Sequence, residues 1–156
     1  MGHSNAKDLI PVRFEGDVGR LQAGIEQLLP DLHCTLNPDG LLIRARRHEE
    51  NRLLVSRDGD RAEIAYAAPV HFFRGLGLLI EHIEDAAYRT EEPVWFTMNG
   101  VMFDVTQANT MMTVEHAKML LRRMALMGLN MLMLYMEDAY EIEGEPYFGY
   151  MRGRYS

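Results

Sequence analysis

The stretch from Gly100 to the end of the chain reads strand, helix, strand, and both strands close on acids. Val101-Met-Phe-Asp-Val105 is apolar around Asp104. A helical stretch runs from Thr113 to Met127. Leu129 to Met136 is apolar and leads into Glu137-Asp138. A strand-helix-strand unit of this length predicts a right-handed crossover between parallel strands. Polar residues at the carboxyl ends of such strands stand where α/β barrels hold substrate. A complete (β/α)8 barrel takes about 200–250 residues, whereas 65 residues (92 to 156) follow Glu91. The expectation is the first β-α-β portion of an incomplete barrel, covering 92–156.

Ahead of it, residues 9–91 predict an α+β domain: an antiparallel meander sheet with two helices. Ile10-Pro-Val-Arg-Phe14 alternates as a short strand whose proline favours an edge or first position. Asp17 is placed to cap a helix with Val18, Leu21, Ile25, Leu28 and Leu29 on one face, and Pro30 ends it. Asn37-Pro-Asp-Gly40 separates Leu36 from a strand over Leu41 to Arg46. Asp58-Gly59 between Leu53–Ser56 and Ala62–Ala67 is a strong hairpin signal. Pro69 opens a second helix with Phe72, Phe73, Leu76, Leu79, Ile80 and Ile83 on a wide apolar face. Gly75 and Gly77 weaken its propensity but allow close packing on a sheet. Helices on one side of a sheet are the economical arrangement. Arg89-Thr-Glu-Glu-Pro93 reads as a linker.

Bulk composition narrows the function classes. Net charge is −7 and the sequence pI about 5.3, which argues against nucleic acid or an anionic membrane as partner. The single cysteine, Cys34, cannot form an internal disulfide. The polar N-terminus has no apolar stretch of the kind a signal peptide needs, so a cytoplasmic location is expected. No apolar run reaches the ~18 residues of a membrane span. His3, His33, His48, His71, His82 and His116 form neither His-x-His nor His-Glu-x-x-His, so no zinc site is expected, and no cofactor is implied. Gly16-Asp-Val-Gly19 and Arg74-Gly-Leu-Gly77 are too sparse for phosphate loops. Eleven of the twelve methionines lie from Met98 onward; with no histidine or cysteine interleaved at ligand spacing, they read as a methionine-rich core.

The segment from Phe96 to Ser156 resembles glycoside hydrolase family 20, the β-N-acetylhexosaminidases, at the start of their catalytic barrel. The matching pieces are Gly100-Val-Met-Phe-Asp104, Thr113-Val-Glu-His-Ala-Lys118, Met124-Ala-Leu-Met-Gly-Leu-Asn-Met-Leu-Met-Leu-Tyr-Met-Glu-Asp138 and Tyr147-Phe-Gly-Tyr-Met-Arg-Gly-Arg-Tyr-Ser156. The last two are the specific ones. The preceding α+β domain looks like the family's accessory domain by topology. The resemblance implies removal of terminal N-acetylhexosamine from glycans with retention, the sugar's own acetamide attacking the anomeric carbon. In the family an adjacent Asp-Glu pair after the fourth strand polarises the acetamide and acts as general acid and base. This chain has no such pair and no catalytic residue of its own. Glu137-Asp138 follows the second strand, in the reverse order.

By the same resemblance, Glu137 matches an acid that supports a histidine further along the barrel. The candidate substrate-binding residues are Asp104, Glu137, Asp138 and Arg152. Where family members carry a sugar-holding arginine, this chain has Gln107, or in the other arrangement Asn99. A neutral amide lacks the charged bidentate fork.

Bland roles stand beside these: Asp104 as a loop cap, Asp138 as a surface acid, Arg152 and Arg154 pinning the loop against Glu141, Glu143 and Glu145, and Tyr147 to Tyr150 packing over the strand ends. Three function classes remain: part of a glycosidase inactive alone, a non-catalytic module binding sugar or protein, and a barrel fragment that assembles. Exposed barrel strands predict a homo-oligomer.

Overall fold

In the computed structural model, which describes residues 9–106, 112–151 and 154–155, the chain divides into two compact units. One holds the residues through Thr97 with Ala125–Gly128; the other holds Met98–Met124 and the residues from Leu129 onward.

The first unit is built on alternation. β1 (Ile10–Gly16), β3 (Leu41–Arg47), β4 (Arg52–Asp58) and β5 (Arg61–Tyr66) each turn an apolar set to one face: Val12, Ile43 and Ala45, Leu53 and Val55, Ala62 and Ile64 are all buried. Two further strands, β2 (Cys34–Leu36) and β6 (Ala87–Pro93), complete a six-stranded sheet in the order β2-β1-β3-β5-β4-β6. α1 (Gln22–Leu28) and α2 (Pro69–Glu81) both cover the apolar face, since Leu21, Ile25, Phe72, Leu76 and Leu79 join one core cluster with the strand residues. Gly75 lets α2 come close: a Cβ there would lie 2.7 Å from Ile64 Cγ2 and 3.0 Å from Leu53 Cδ1.

The sheet is mixed, which corrects the expected antiparallel meander. β1 runs parallel to β2 and to β3, and β3 runs parallel to β5; only β4 is antiparallel, to β5 and β6. The predicted hairpin at Asp58-Gly59 is present as β4–β5. The four residues 48–51 carry the chain past one strand position, so β5 and not β4 lies beside β3. The supposed linker is also corrected. Arg89–Pro93 belongs to the edge strand β6, tied to β4 by register from Arg52↔Pro93 to Asp58↔Ala87 and to α2 by Arg74, whose Nη2 and Nε reach the Glu92 carboxylate at 2.9 and 3.2 Å. Asp17 does not cap α1. Its Oδ2 accepts the Arg47 backbone N–H at 2.8 Å, and the helix starts at Gln22 behind Leu21. Cys34 is the buried filler expected; its thiol donates to Leu32 O over 3.4 Å.

The second unit contains β7 (Gly100–Asp104), α3 (Val114–Leu126) and β8 (Met131–Tyr135). β7 and β8 pair in parallel from Gly100↔Met131 to Asp104↔Tyr135, as the sequence predicts. Among the described residues these two strands are the whole of the second sheet, so what is observed is a β-α-β unit and not a barrel. Gly100 is required by close approach: a Cβ there would meet Met131 O at 1.8 Å. Thr113 Oγ1 accepts the His116 N–H at 3.2 Å and caps α3.

Candidate functional site

The carboxyl ends of β7 and β8 gather Asp104, Tyr135, Glu137 and Asp138. Parallel pairing does this directly, because Asp104 lies opposite Tyr135 in register and the Val105 N–H donates to Tyr135 O at 3.1 Å. Asp104 is half-buried and fixed locally: its Oδ1 accepts the Thr106 N–H at 2.8 Å and the Thr106 hydroxyl at 2.7 Å. That is an Asx turn, with Thr106 itself buried. One carboxylate oxygen is committed to turn geometry, so the loop-capping role predicted as an alternative is physically present.

Glu137 is exposed and reaches back to the strand, its Oε1 accepting the Tyr135 hydroxyl at 2.9 Å. Its backbone has φ of +43°, a left-handed conformation unusual for a residue with a side chain. Asp138 is half-buried, next to the buried Ala139. Beyond it the chain doubles back: Tyr155 N–H donates to Ala139 O at 2.9 Å, and Glu141 N–H to Tyr155 O at 3.2 Å. Arg154 Nη1 donates to Phe148 O at 3.2 Å, a backbone and not an acidic partner. Tyr140 and Phe148 meet edge to face at 5.2 Å. Tyr147 and Tyr150 do not pack over the strand ends; they are 82% and 64% exposed, 6.3 Å apart and nearly perpendicular. Exposed aromatic faces of this kind are suited to stacking on a sugar ring or another apolar group.

The predicted site residues Asp104, Glu137 and Asp138 are thus brought to one rim, while Arg152 and Gln107 lie outside the described residues. Asn99 serves the backbone: its O accepts the Asn130 and Met131 N–H groups at 2.8 and 3.2 Å, and its N–H donates to Asn130 Oδ1 at 2.8 Å. Sequence reasoning missed Tyr135 and Thr106. Strand alternation could have found Tyr135, two residues before Glu137. The Asp-x-Thr spacing could have found Thr106. Among the described residues no group of three or more His, Cys, Asp or Glu side chains could hold a metal ion, and no helix is long and apolar enough to cross a membrane.

No protein-family profile matches the chain, and no curated protein matches its sequence. Solved structures do. The chain superposes on an exo-β-N-acetylglucosaminidase of glycoside hydrolase family 20 from Vibrio harveyi with a TM-score of 0.62 and 17% identity, over 90% of this chain and 25% of that one. A second family 20 β-N-acetylglucosaminidase matches with a TM-score of 0.61 and 23% identity, over 88% of this chain and 30% of that one. The chain has a family 20-like fold. The likeness extends to a family 138 glycoside hydrolase targeting pectin rhamnogalacturonan II, at a TM-score of 0.57 and 15% identity, over 88% of this chain and 20% of that one. The chain therefore spans between a fifth and a third of the length of these enzymes. What it shares with them is the fold.

Proposed function

We propose that this chain forms the leading part of a β-N-acetylhexosaminidase-like glycoside hydrolase: the accessory α+β domain and the first β-α-β portion of the catalytic barrel. The whole enzyme would remove terminal N-acetylhexosamine from glycans with retention, assisted by the substrate's acetamide. The observation that carries the proposal is the parallel β7–α3–β8 unit with Asp104 and Glu137 at the carboxyl ends of its strands. That rim is where barrel enzymes recruit substrate-binding groups. The Leu-Tyr-Met-Glu-Asp and Phe-Gly-Tyr-x-Arg-Gly-Arg-Tyr motifs add support.

In this reading Asp104 and Glu137 position groups and do not carry the proton chemistry. No Asp-Glu dipeptide occurs in the sequence, so the chain alone is inactive. Positioned acid and base groups contribute about 10²–10⁴-fold each. The test is an assay with 4-nitrophenyl N-acetyl-β-D-glucosaminide. The 156-residue chain is expected to give no turnover. A longer polypeptide that adds the remaining strands and an Asp-Glu pair is expected to release nitrophenol. Turnover by the purified chain itself, or none by the extended one, would remove the proposal.

A further inference from the structure

The face of the six-stranded sheet that the helices leave open carries a patterned set of charges. Register places Arg13, Leu42, Arg61 and Asp58 in one row across β1, β3, β5 and β4. The next row holds Glu15, Arg44, Glu63 and Ser56, continued by Arg89 on β6. Several charges neutralise one another: Arg13 with Glu15 at 3.4 Å, Arg46 with Glu63 at 3.0 Å, Arg52 with Glu91 at 3.0 Å. Arg44 and Arg61 form no ion pair among the described residues. In a chain of net charge −7, Arg44 and Arg61 thus stay outside any salt bridge although Glu15 and Glu63 lie beside Arg44, and Asp58 beside Arg61, in register.

Those two arginines flank a depression of about 300 Å³ whose lining includes Leu42, Arg44, Ser56, Asp58, Arg61 and Glu63. That volume is at the small end of ligand sites. Arg44 and Arg61 sit on neighbouring strands two residues apart in register, a diagonal spacing of about 7–8 Å that long side chains can close.

The lining dictates the ligand by its donors and acceptors. Guanidinium groups only donate, ionised carboxylates only accept, and the serine hydroxyl does both. A simple anion would satisfy the arginines but offer no donor to Asp58 and Glu63. A neutral polyol would satisfy the carboxylates but offer the guanidiniums no charged acceptor of its own. We propose that this open-face depression is a binding site for an acidic sugar ring. The sugar's carboxylate would be held by Arg44 and Arg61, its hydroxyls would donate to Asp58 and Glu63, and its C–H face would lie over Leu42. The inference stands apart from the glycosidase proposal, since it uses no residue of the second unit.

The test is a titration of the full ¹⁵N-labelled chain with D-glucuronate, with D-glucose and sodium sulfate as parallel arms at fixed ionic strength, reading backbone amide shifts. Glucuronate is expected to give saturable shifts at Arg44, Ser56, Arg61 and Glu63. Its affinity is expected to be at least about tenfold higher than that of glucose or sulfate, the scale of one charge-assisted hydrogen bond. Arg61→Gln should weaken it about tenfold with the rest of the spectrum unchanged. Arg44→Gln serves as the second variant if Arg61→Gln disturbs the sheet. No saturation with glucuronate, equal binding of sulfate or of glucose, or undiminished binding by the folded variant would each overturn the proposal.

Discussion

Glu137 holds a left-handed backbone with φ of +43° while its carboxylate accepts the Tyr135 hydroxyl. Left-handed geometry costs a residue with a Cβ about 1–2 kcal/mol relative to glycine. Two substitutions separate backbone from side chain. Glu137→Ala and Glu137→Gly both remove the bond to Tyr135, yet the glycine variant should be the more stable by about 1 kcal/mol, read as a higher midpoint in thermal unfolding. Equal midpoints would mean that the backbone relaxes freely. Within the longer enzyme proposed above, Glu137→Gln should lower kcat by about 10–100-fold with the unfolding midpoint nearly unchanged. A variant of full activity would confine Glu137 to its contact with Tyr135. Glu137 itself was readable from its place after an apolar run. Its partner Tyr135 was hidden inside that run, where a tyrosine looks like one more strand residue.

At the scale of elements, α2 was the most legible. Pro69 marks its first residue, and the buried positions Phe72, Gly75, Leu76 and Leu79 keep helical period. Its N-terminus carries a titratable device that the sequence did not advertise: His71 Nδ1 accepts the Ala68 N–H at 3.1 Å, and burial first, then the nearby His48 charge, lowers its pKa from 6.5. Only the neutral imidazole can accept that bond. The unfolded chain binds a proton at a pH where the folded chain does not, so the stabilisation is fully present above about pH 6.5 and is lost as pH falls below it. Unfolding midpoints should therefore drop on acidification, and His71→Gln, which can accept the same bond without titrating, should flatten that dependence. A variant with an unchanged slope would assign the effect elsewhere.

Gly75→Ala should destabilise by about 1–3 kcal/mol in denaturant unfolding, because the new methyl would press on Ile64 Cγ2 at 2.7 Å inside a packed core. That cost exceeds the helix propensity gained, about 1 kcal/mol. A stabilised variant would show that the interface has slack.

β1, β6 and α1 show why other elements resisted reading. Alternation along Ile10–Gly16 looks the same whether the neighbour is parallel or antiparallel. β6, Ala87–Pro93, lies at an edge with exposed residues alternating through it, so Arg89-Thr-Glu-Glu has the composition of a linker. Asp17 has cap chemistry, but the backbone N–H it satisfies belongs to Arg47, thirty residues away.

For the whole molecule, the two sheets differ in how they end. The six-stranded sheet is flanked by a three-residue strand on one side and by a charged, proline-terminated strand on the other, both poor templates for further pairing. On β7 and β8, by contrast, Met102, Met131, Met133 and Leu134 are 59%, 38%, 49% and 43% exposed. Met102, Met131 and Met133 share one face by register and Leu134 stands on the other, and exposed apolar faces on so small a sheet favour association. The chain should sediment as a dimer or larger at micromolar concentration, and Met133→Lys should shift it toward monomer. A folded wild-type monomer would mean that these strands tolerate water.

The strand order β3-β5-β4 bears on the order of events during folding. β5 cannot be laid down beside β3 until β4 has already been made, since β4 comes earlier in the chain yet lies further out. The hairpin of β4 and β5 closes over a two-residue turn, a contact that forms in microseconds, whereas β1 must find β3 across a loop of some two dozen residues. The hairpin is thus the piece able to exist first and to dock as a unit, with β6 added last against its outer strand. A chain emerging from the ribosome could close the centre of its sheet once residue 66 is free, and a pause in synthesis between that point and residue 93 would expose β4 as an unguarded edge.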